Sequence, residues 1–369
     1  MRRLFGLFLS SVLLAACGGG GGGGGGSGGN PTDPTPPPET TLYVRASGSD
    51  DNNGTSPDSA LRSVARATQR GVVAANQTIL VGPGIYTGRA DIAGVPTSEE
   101  APLRIIADPS GSRTGDAPGE VVLDANGLGS AVRITNTTFV TIDGFTITGA
   151  TGDDSTGVFV RSNATNATIR NCVINNGGSA DGIRIQDSSD ATIFNNLIFD
   201  NGRGVVISGS PAARVINNTI VNNRNFGISF AGASAENVAS TDGTVLNNIV
   251  QASRSTINLQ VDDGPPSALP GYVGDFNLVF APTLGDQQQR TYRPTFLQAE
   301  HDVNEDAQFV NFAGDDFHLA ETSPARDAGT SEIDDDLRNE LFDRTTSSDD
   351  ALDSAPPDLG YHFPVLDQQ

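Results

Sequence analysis

Between residues 131 and 261 the chain returns about five times to one pattern, and this periodicity constrains the fold more than any other feature. One arm reads Ile142-Asp143-Gly144-Phe145-Thr146-Ile147. It recurs at Ile169-Arg170-Asn171-Cys172-Val173-Ile174, Ile193-Phe194-Asn195-Asn196-Leu197-Ile198, Val215-Ile216-Asn217-Asn218-Thr219-Ile220 and Val245-Leu246-Asn247-Asn248-Ile249-Val250, with starts 27, 24, 22 and 30 residues apart. A second arm reads Val132-Arg133-Ile134, Val158-Phe159-Val160, Ile183-Arg184-Ile185, Val205-Val206-Ile207, Ile228-Ser229-Phe230 and Ile257-Asn258-Leu259. Gly157, Gly182, Gly204 and Gly227 stand directly before four of these six. A fixed period in this range marks a solenoid.

No unit is long enough to place a helix between its arms. Apolar residues alternate at period two and are rich in Ile and Val, so the units are coils of β-strand. Gly144, Asn171, Asn195, Asn217 and Asn247 form a column of residues that accept positive φ cheaply. The next column is Phe145, Cys172, Asn196, Asn218 and Asn248. Phe and Cys there point the column inward, which requires the stacked amides to bond one another and the backbone. A leucine-rich repeat lacks its leucine framework here, and a left-handed β-helix holds a strict hexapeptide count that spacings of 22 to 30 break. The expected fold is all-β, a right-handed parallel β-helix with an N-terminal capping helix and an irregular C-terminal cap.

Residues 1–16 read as a signal peptide: Arg2 and Arg3 precede an apolar run, and Leu14-Ala15-Ala16-Cys17 has the form of a lipobox. Cleavage would leave Cys17 as a lipidated N-terminus, and Gly18 rather than aspartate, by resemblance to bacterial lipoproteins, favours the outer membrane. Residues 17–41 then form a Gly- and Pro-rich tether that cannot bury a core. Residues 42–281 hold the β-helix with its cap. There Ser56-Pro57-Asp58 followed by Leu61, Val64 and Ala65 reads as a capped amphipathic helix placed before a first strand at Ile79-Leu80-Val81. Residues 282–369 lose the repeat and are expected to cap the far end.

Tyr43-Val44-Arg45-Ala46-Ser47-Gly48-Ser49-Asp50, with Val81-Gly82-Pro83-Gly84-Ile85-Tyr86, resembles the opening of bacterial pectate-lyase-like β-helix proteins. The tail strings Gly314-Asp315-Asp316-Phe317-His318-Leu319, Ser323-Pro324-Ala325-Arg326-Asp327-Ala328-Gly329 and Pro357-Asp358-Leu359-Gly360-Tyr361 resemble the choice-of-anchor Q module of surface proteins. The resemblance implies fold and surface location, while activities within that superfamily range from lyase to none.

All 22 basic residues are arginines, and loss of Arg2 and Arg3 takes the formal charge from −22 to −24. So acidic a chain lacks the footprint for nucleic acid. Without lysine it cannot use the lysine base of some uronate lyases that it resembles; an arginine base remains open. Cys172 is the one thiol left after processing, which rules out an intramolecular disulfide, and it reads as a small apolar residue. His301, His318 and His362 lie scattered in the tail without ligand spacing, an argument against zinc.

In pectate-lyase-like helices the ligand lies along the outer face of one sheet, here the second-arm series. Alternation turns Arg133, Phe159, Arg184, Val206, Ser229 and Asn258 outward, with Arg161 two residues past Phe159. Arg133, Phe159 and Arg161 are the candidate substrate-binding residues, suited to anionic sugars by carboxylate pairing and ring stacking. Arg184, Asp181 and Arg203 are the candidate catalytic group, with Arg as base and Asp as acid or base. Asp154, Asp181 and Asp200, from loops expected to precede the sheet, could hold Ca²⁺. Turn aspartates and ladder salt bridges are the plainer readings of the same residues. The expected protein is a monomeric lipoprotein, bound to the membrane only through its lipid. It would bind an anionic polysaccharide and, if catalytic, cleave it by β-elimination; the alternative is a noncatalytic surface protein for glycan binding or adhesion.

Overall fold

The computed structural model describes residues 37–152, 155–175, 178–231, 240–251, 259–261, 271–280 and 299–365. The signal peptide, Cys17, nearly all of the tether, Asp153, Asp154, Ile257 and Asn258 lie outside the described residues. From Pro36 onward the chain is one compact unit.

Each coil passes in turn through three parallel sheets. Sheet A has nine strands, from Thr40–Val44 to Val273–Asp275; sheet B has eight, from Gly84–Thr87 to Leu278–Phe280; sheet C has seven, from Ala90–Ala93 to Leu259–Val261. Ile142, Ile169, Ile193, Val215 and Val245 stand in one register on sheet A and are fully buried. Val132, Val158, Ile183, Val205 and Ile228 do the same on sheet C. Each such side chain contributes about 1.5–3 kcal/mol by leaving water. Together these columns form the core of a right-handed parallel β-helix.

The first arm of the sequence repeat is two strands, not one. It bends between sheets A and B at a residue with positive φ: Gly144, Asn171, Asn195, Asn217 and Asn247 have φ of 82°, 55°, 51°, 52° and 59°. The bend breaks the period-two alternation: Ile142 and Ile147 both face inward although they stand five positions apart. The residue after it points inward and builds an amide ladder. Asn196 Nδ2 donates to Asn218 Oδ1 at 2.9 Å, Asn218 Nδ2 to Asn248 Oδ1 at 3.0 Å and Asn248 Nδ2 to Asn277 Oδ1 at 3.0 Å. Each of these amides also donates to two backbone carbonyls, as Asn196 does to Ile169 and Phe194. Cys172 N donates to Asn196 Oδ1 at one end of the ladder, and Asp302 accepts from Asn277 at the other. Burial pushes the Cys172 thiol up to about 12, as suits an inert core residue.

The corner between sheets B and C repeats the device. Asp200 and Asn222 take φ of 54°, and the buried Asn201 and Asn223 stack behind them.

Both ends differ from the sequence expectation. The first strand is Thr40–Val44, paired with Gln77–Val81, so the sheet begins one strand earlier. The expected capping helix is a 3₁₀ turn, Pro57–Ser59, and a single α-turn, Val64–Ala67. Between them Leu61 bridges to Val44, which breaks a continuous helix. On the last coil Ile228 pairs with Leu259, so Gln260, not Asn258, stands opposite Ser229.

The described part of the tail does more than cap the far end; it runs back along the flank of sheets A and B. Asn195 donates to the His362 carbonyl, Asn217 to that of Asp358 and Asn247 to that of Thr330. Phe317 and Tyr361 cover Leu197, Phe199 and Val221. Leu341, on the helix Asp335–Phe342, covers Phe194 and Ile216.

Candidate functional site

The outer face of sheet C gathers most of the residues singled out above. Asp91, Arg133, Phe159, Arg184, Val206 and Ser229 occupy one register across successive strands. Arg161 falls two residues beyond Phe159, opposite Thr135 and Gln186. Neighbouring strands are about 4.8 Å apart, so these side chains are neighbours across the ladder. The Arg161 guanidinium lies 5.2 Å from the centre of the Phe159 ring and that of Arg184 lies 5.7 Å from it. Both distances fall within cation–π range.

Asp181 is the first residue of the strand Asp181–Gln186 rather than part of a loop, and its side chain is 1% exposed. It stands opposite Arg203 in register. Arg203 donates to it from Nε at 2.6 Å and from Nη2 at 2.9 Å. Arg184 Nε donates at 2.8 Å to the same carboxylate. The three candidate catalytic residues are therefore together, as an ion-paired triad in which both carboxylate oxygens accept from arginine.

At the edge of the row Arg133 binds Asp91 through Nε at 3.0 Å and Nη2 at 2.5 Å, and Arg89 lies 3.3 Å from Asp91. Partial burial of Asp91 would raise its pKa. The Arg133 hydrogen bond and the charges of Arg133 and Arg89 outweigh it and hold the carboxyl below the usual range.

Two of the three proposed calcium ligands are described, and neither suits the ion. A cation at Asp181 would have to displace two guanidinium groups from a buried carboxylate. Asp200 is a positive-φ corner residue, whose Oδ1 accepts from Asn222. Ca²⁺ needs about six to eight oxygens, and no cluster of three acidic, His or Cys side chains able to hold a metal occurs among the described residues. No step is assigned to Ca²⁺. Asp50, in the N-terminal loop Asp50-Asp51, accepts from the backbone of Arg62 and Ser63 and so closes a turn.

The histidines have structural partners. His301 bonds Asp275 at 2.8 Å and stacks on Phe276, and His318 bonds Asp316 at 2.6 Å and stacks on Phe363. His362 is fully buried against Asp353 at 2.7 Å.

Sequence reasoning set arginines around Phe159 and brought Asp181 and Arg203 together beside Arg184; what it missed is that Asp181 is a buried strand residue rather than a loop residue.

The family model described as "Right handed beta helix region" matches residues 125–262. No curated protein matches the chain. Among solved structures, the pectate lyase Pel9A is 16% identical over 89% of this chain and 97% of that one, with a TM-score of 0.47. The GH136 lacto-N-biosidase from Eubacterium ramulus is 12% identical over 66% of this chain, which spans 56% of the enzyme's length, with a TM-score of 0.46. The alginate lyase from Paenibacillus sp. is 15% identical over 67% and 83%, with a TM-score of 0.34. At these identities the likeness concerns the fold alone.

Proposed function

We propose that the protein binds an acidic, uronate-containing polysaccharide along the outer face of sheet C, without cleaving it. The observation that carries this reading is Arg161. It is exposed, held over Phe159, and makes no ion pair with any described residue. A guanidinium oriented in this way is prepared for bidentate capture of a carboxylate. With Arg89, Arg133, Arg184 and Arg203 it makes five arginines facing two aspartates, Asp91 and Asp181, among the described residues, a local positive surface on a chain of net charge −22.

Cleavage is the weaker reading. A base must present a lone pair, whereas Arg184 and Arg203 face Asp181 as donors and Asp181 has no oxygen left open. The test is titration with uronate polymers. Arg161→Gln should weaken binding about tenfold, the loss of one charge-assisted contact, with no unsaturated product released by either protein. Wild-type affinity in Arg161→Gln and Arg184→Ala together would move the site elsewhere. Ultraviolet-absorbing product that disappears in Arg184→Ala would restore the lyase reading.

We also propose that a lipid on Cys17 anchors the protein at the outer membrane, with the remainder of residues 17–41 as spacer. The lipobox supports this. Cys17→Ser should shift the protein into the soluble fraction, and unchanged membrane fractionation would refute the anchor.

A further inference from the structure

Sheet A carries a groove of about 550 Å³ that the sheet C reading does not use. Its floor is a row of hydroxyls, Thr141, Thr168 and Thr192, in direct register on three successive strands. Arg104 continues the row on one side and Arg214 on the other. Four strand steps separate the two arginines, about 19 Å at the usual spacing. The wall is the first turn of the helix Asp335–Phe342, including Asp336 and Leu337.

The charges in this groove are unevenly committed. Arg214 binds Asp334 at 2.6 Å, Arg170 binds Asp143 and Glu340, and Asp335 binds Arg338 at 2.7 Å. Arg104, half-buried, makes no ion pair or hydrogen bond with a described residue, and the side-chain hydroxyls of Thr141, Thr168 and Thr192 likewise have no protein partner there. The protein thus leaves one guanidinium and three evenly spaced hydroxyls for an occupant, in a space within the usual range for small ligands, about 300–1,000 Å³.

The chemistry of the lining selects that occupant. Hydroxyls about 4.8 Å apart can each give and take a hydrogen bond, which suits a polyol whose own hydroxyls recur along its length. The Asp336 carboxylate can accept from a further ligand hydroxyl. One uncommitted guanidinium matches one carboxylate, while the acidic wall opposes a ligand with dense negative charge, such as a nucleotide. We propose that this groove is a second binding site, which takes a short oligosaccharide with its single carboxylate on Arg104 and its hydroxyls along the threonine row. The proposal is independent of sheet C, because the two sites share no residue.

Calorimetric titration with a trisaccharide that carries one galacturonate tests it, alongside the same trisaccharide with the carboxyl reduced to an alcohol. The wild type should bind the acidic probe, and Arg104→Gln should weaken that binding ten- to a hundredfold. Arg62→Gln, exposed and in neither site, should leave it unchanged. Thr168→Val, which keeps shape and removes the central hydroxyl, should weaken it severalfold at an unchanged melting temperature. The reduced probe should bind the wild type about as weakly as Arg104→Gln binds the acidic one. Failure of the acidic probe to bind, wild-type affinity in both Arg104→Gln and Thr168→Val, or a loss seen only in Arg161→Gln would overturn the proposal. The last result would leave the sheet C reading standing.

Discussion

At the residue scale the inward asparagines carry obligations that no apolar residue can meet. Asn196 accepts from Cys172 N through Oδ1, and it donates through Nδ2 to two carbonyls and to Asn218. Replacement by leucine leaves buried groups without partners, each worth about 1–3 kcal/mol and not additive. Asn196→Leu should therefore cost about 3 kcal/mol or more, read as a lower midpoint in denaturant at constant slope. Asn196→Asp keeps the shape but turns a donor into a charged acceptor facing carbonyls, and should be worse still. Tolerance of aspartate would mean that the column is hydrated. The column was legible in the sequence because Asn recurs beside Phe145 and Cys172, residues that belong inside. Asp181 was not: its burial follows from arginines three residues ahead and one coil later, which no local pattern shows.

At the element scale, the tail docks through groups that local sequence barely reveals. Its partners lie far back in the chain, for example Asn195 with His362 and Asn217 with Asp358, and the accepting atoms are backbone oxygens. One signal was available: outward sheet A positions change from Asp143 and Arg170 to Phe194 and Ile216, so something apolar had to cover them. Within the docked segment, burial first and the Asp353 charge second raise the pKa of the Asp358 carboxyl, against the Thr346 hydroxyl, the Asp327 amide and His362. A group raised in the folded state gives stability that is complete below its unfolded pKa and is lost as pH rises through its folded value. Near neutrality Asp358 therefore weakens the docked tail. Asp358→Asn should raise the melting temperature at pH about 7 and leave it nearly unchanged below pH about 3, under the carboxylate's unfolded value. A variant less stable than wild type at neutral pH would show that the charge is needed.

At the scale of the whole molecule, alternation and corner residues specified the coil but not the number of sheets, because the corner lies inside an arm only six residues long. The tail adds a constraint that a solenoid by itself lacks. Its contacts fall on Asn195, Asn217 and Asn247, one on each of three successive coils, at backbone positions fixed along the tail. A repeat array tolerates the loss of a unit when each unit contacts only its neighbours. Deletion of residues 195–216 removes one whole coil of 22 residues and lets Asn218 take the place of Asn196 in the ladder. The strands should still stack, with a parallel-sheet spectrum retained. The tail, however, would meet its docking points about 4.8 Å out of step and should become sensitive to protease where the wild type is resistant. A tail equally protected in both would show that it tolerates any coil count. Otherwise the C-terminal segment works as a ruler: it measures the stack that it lies against and admits only one length.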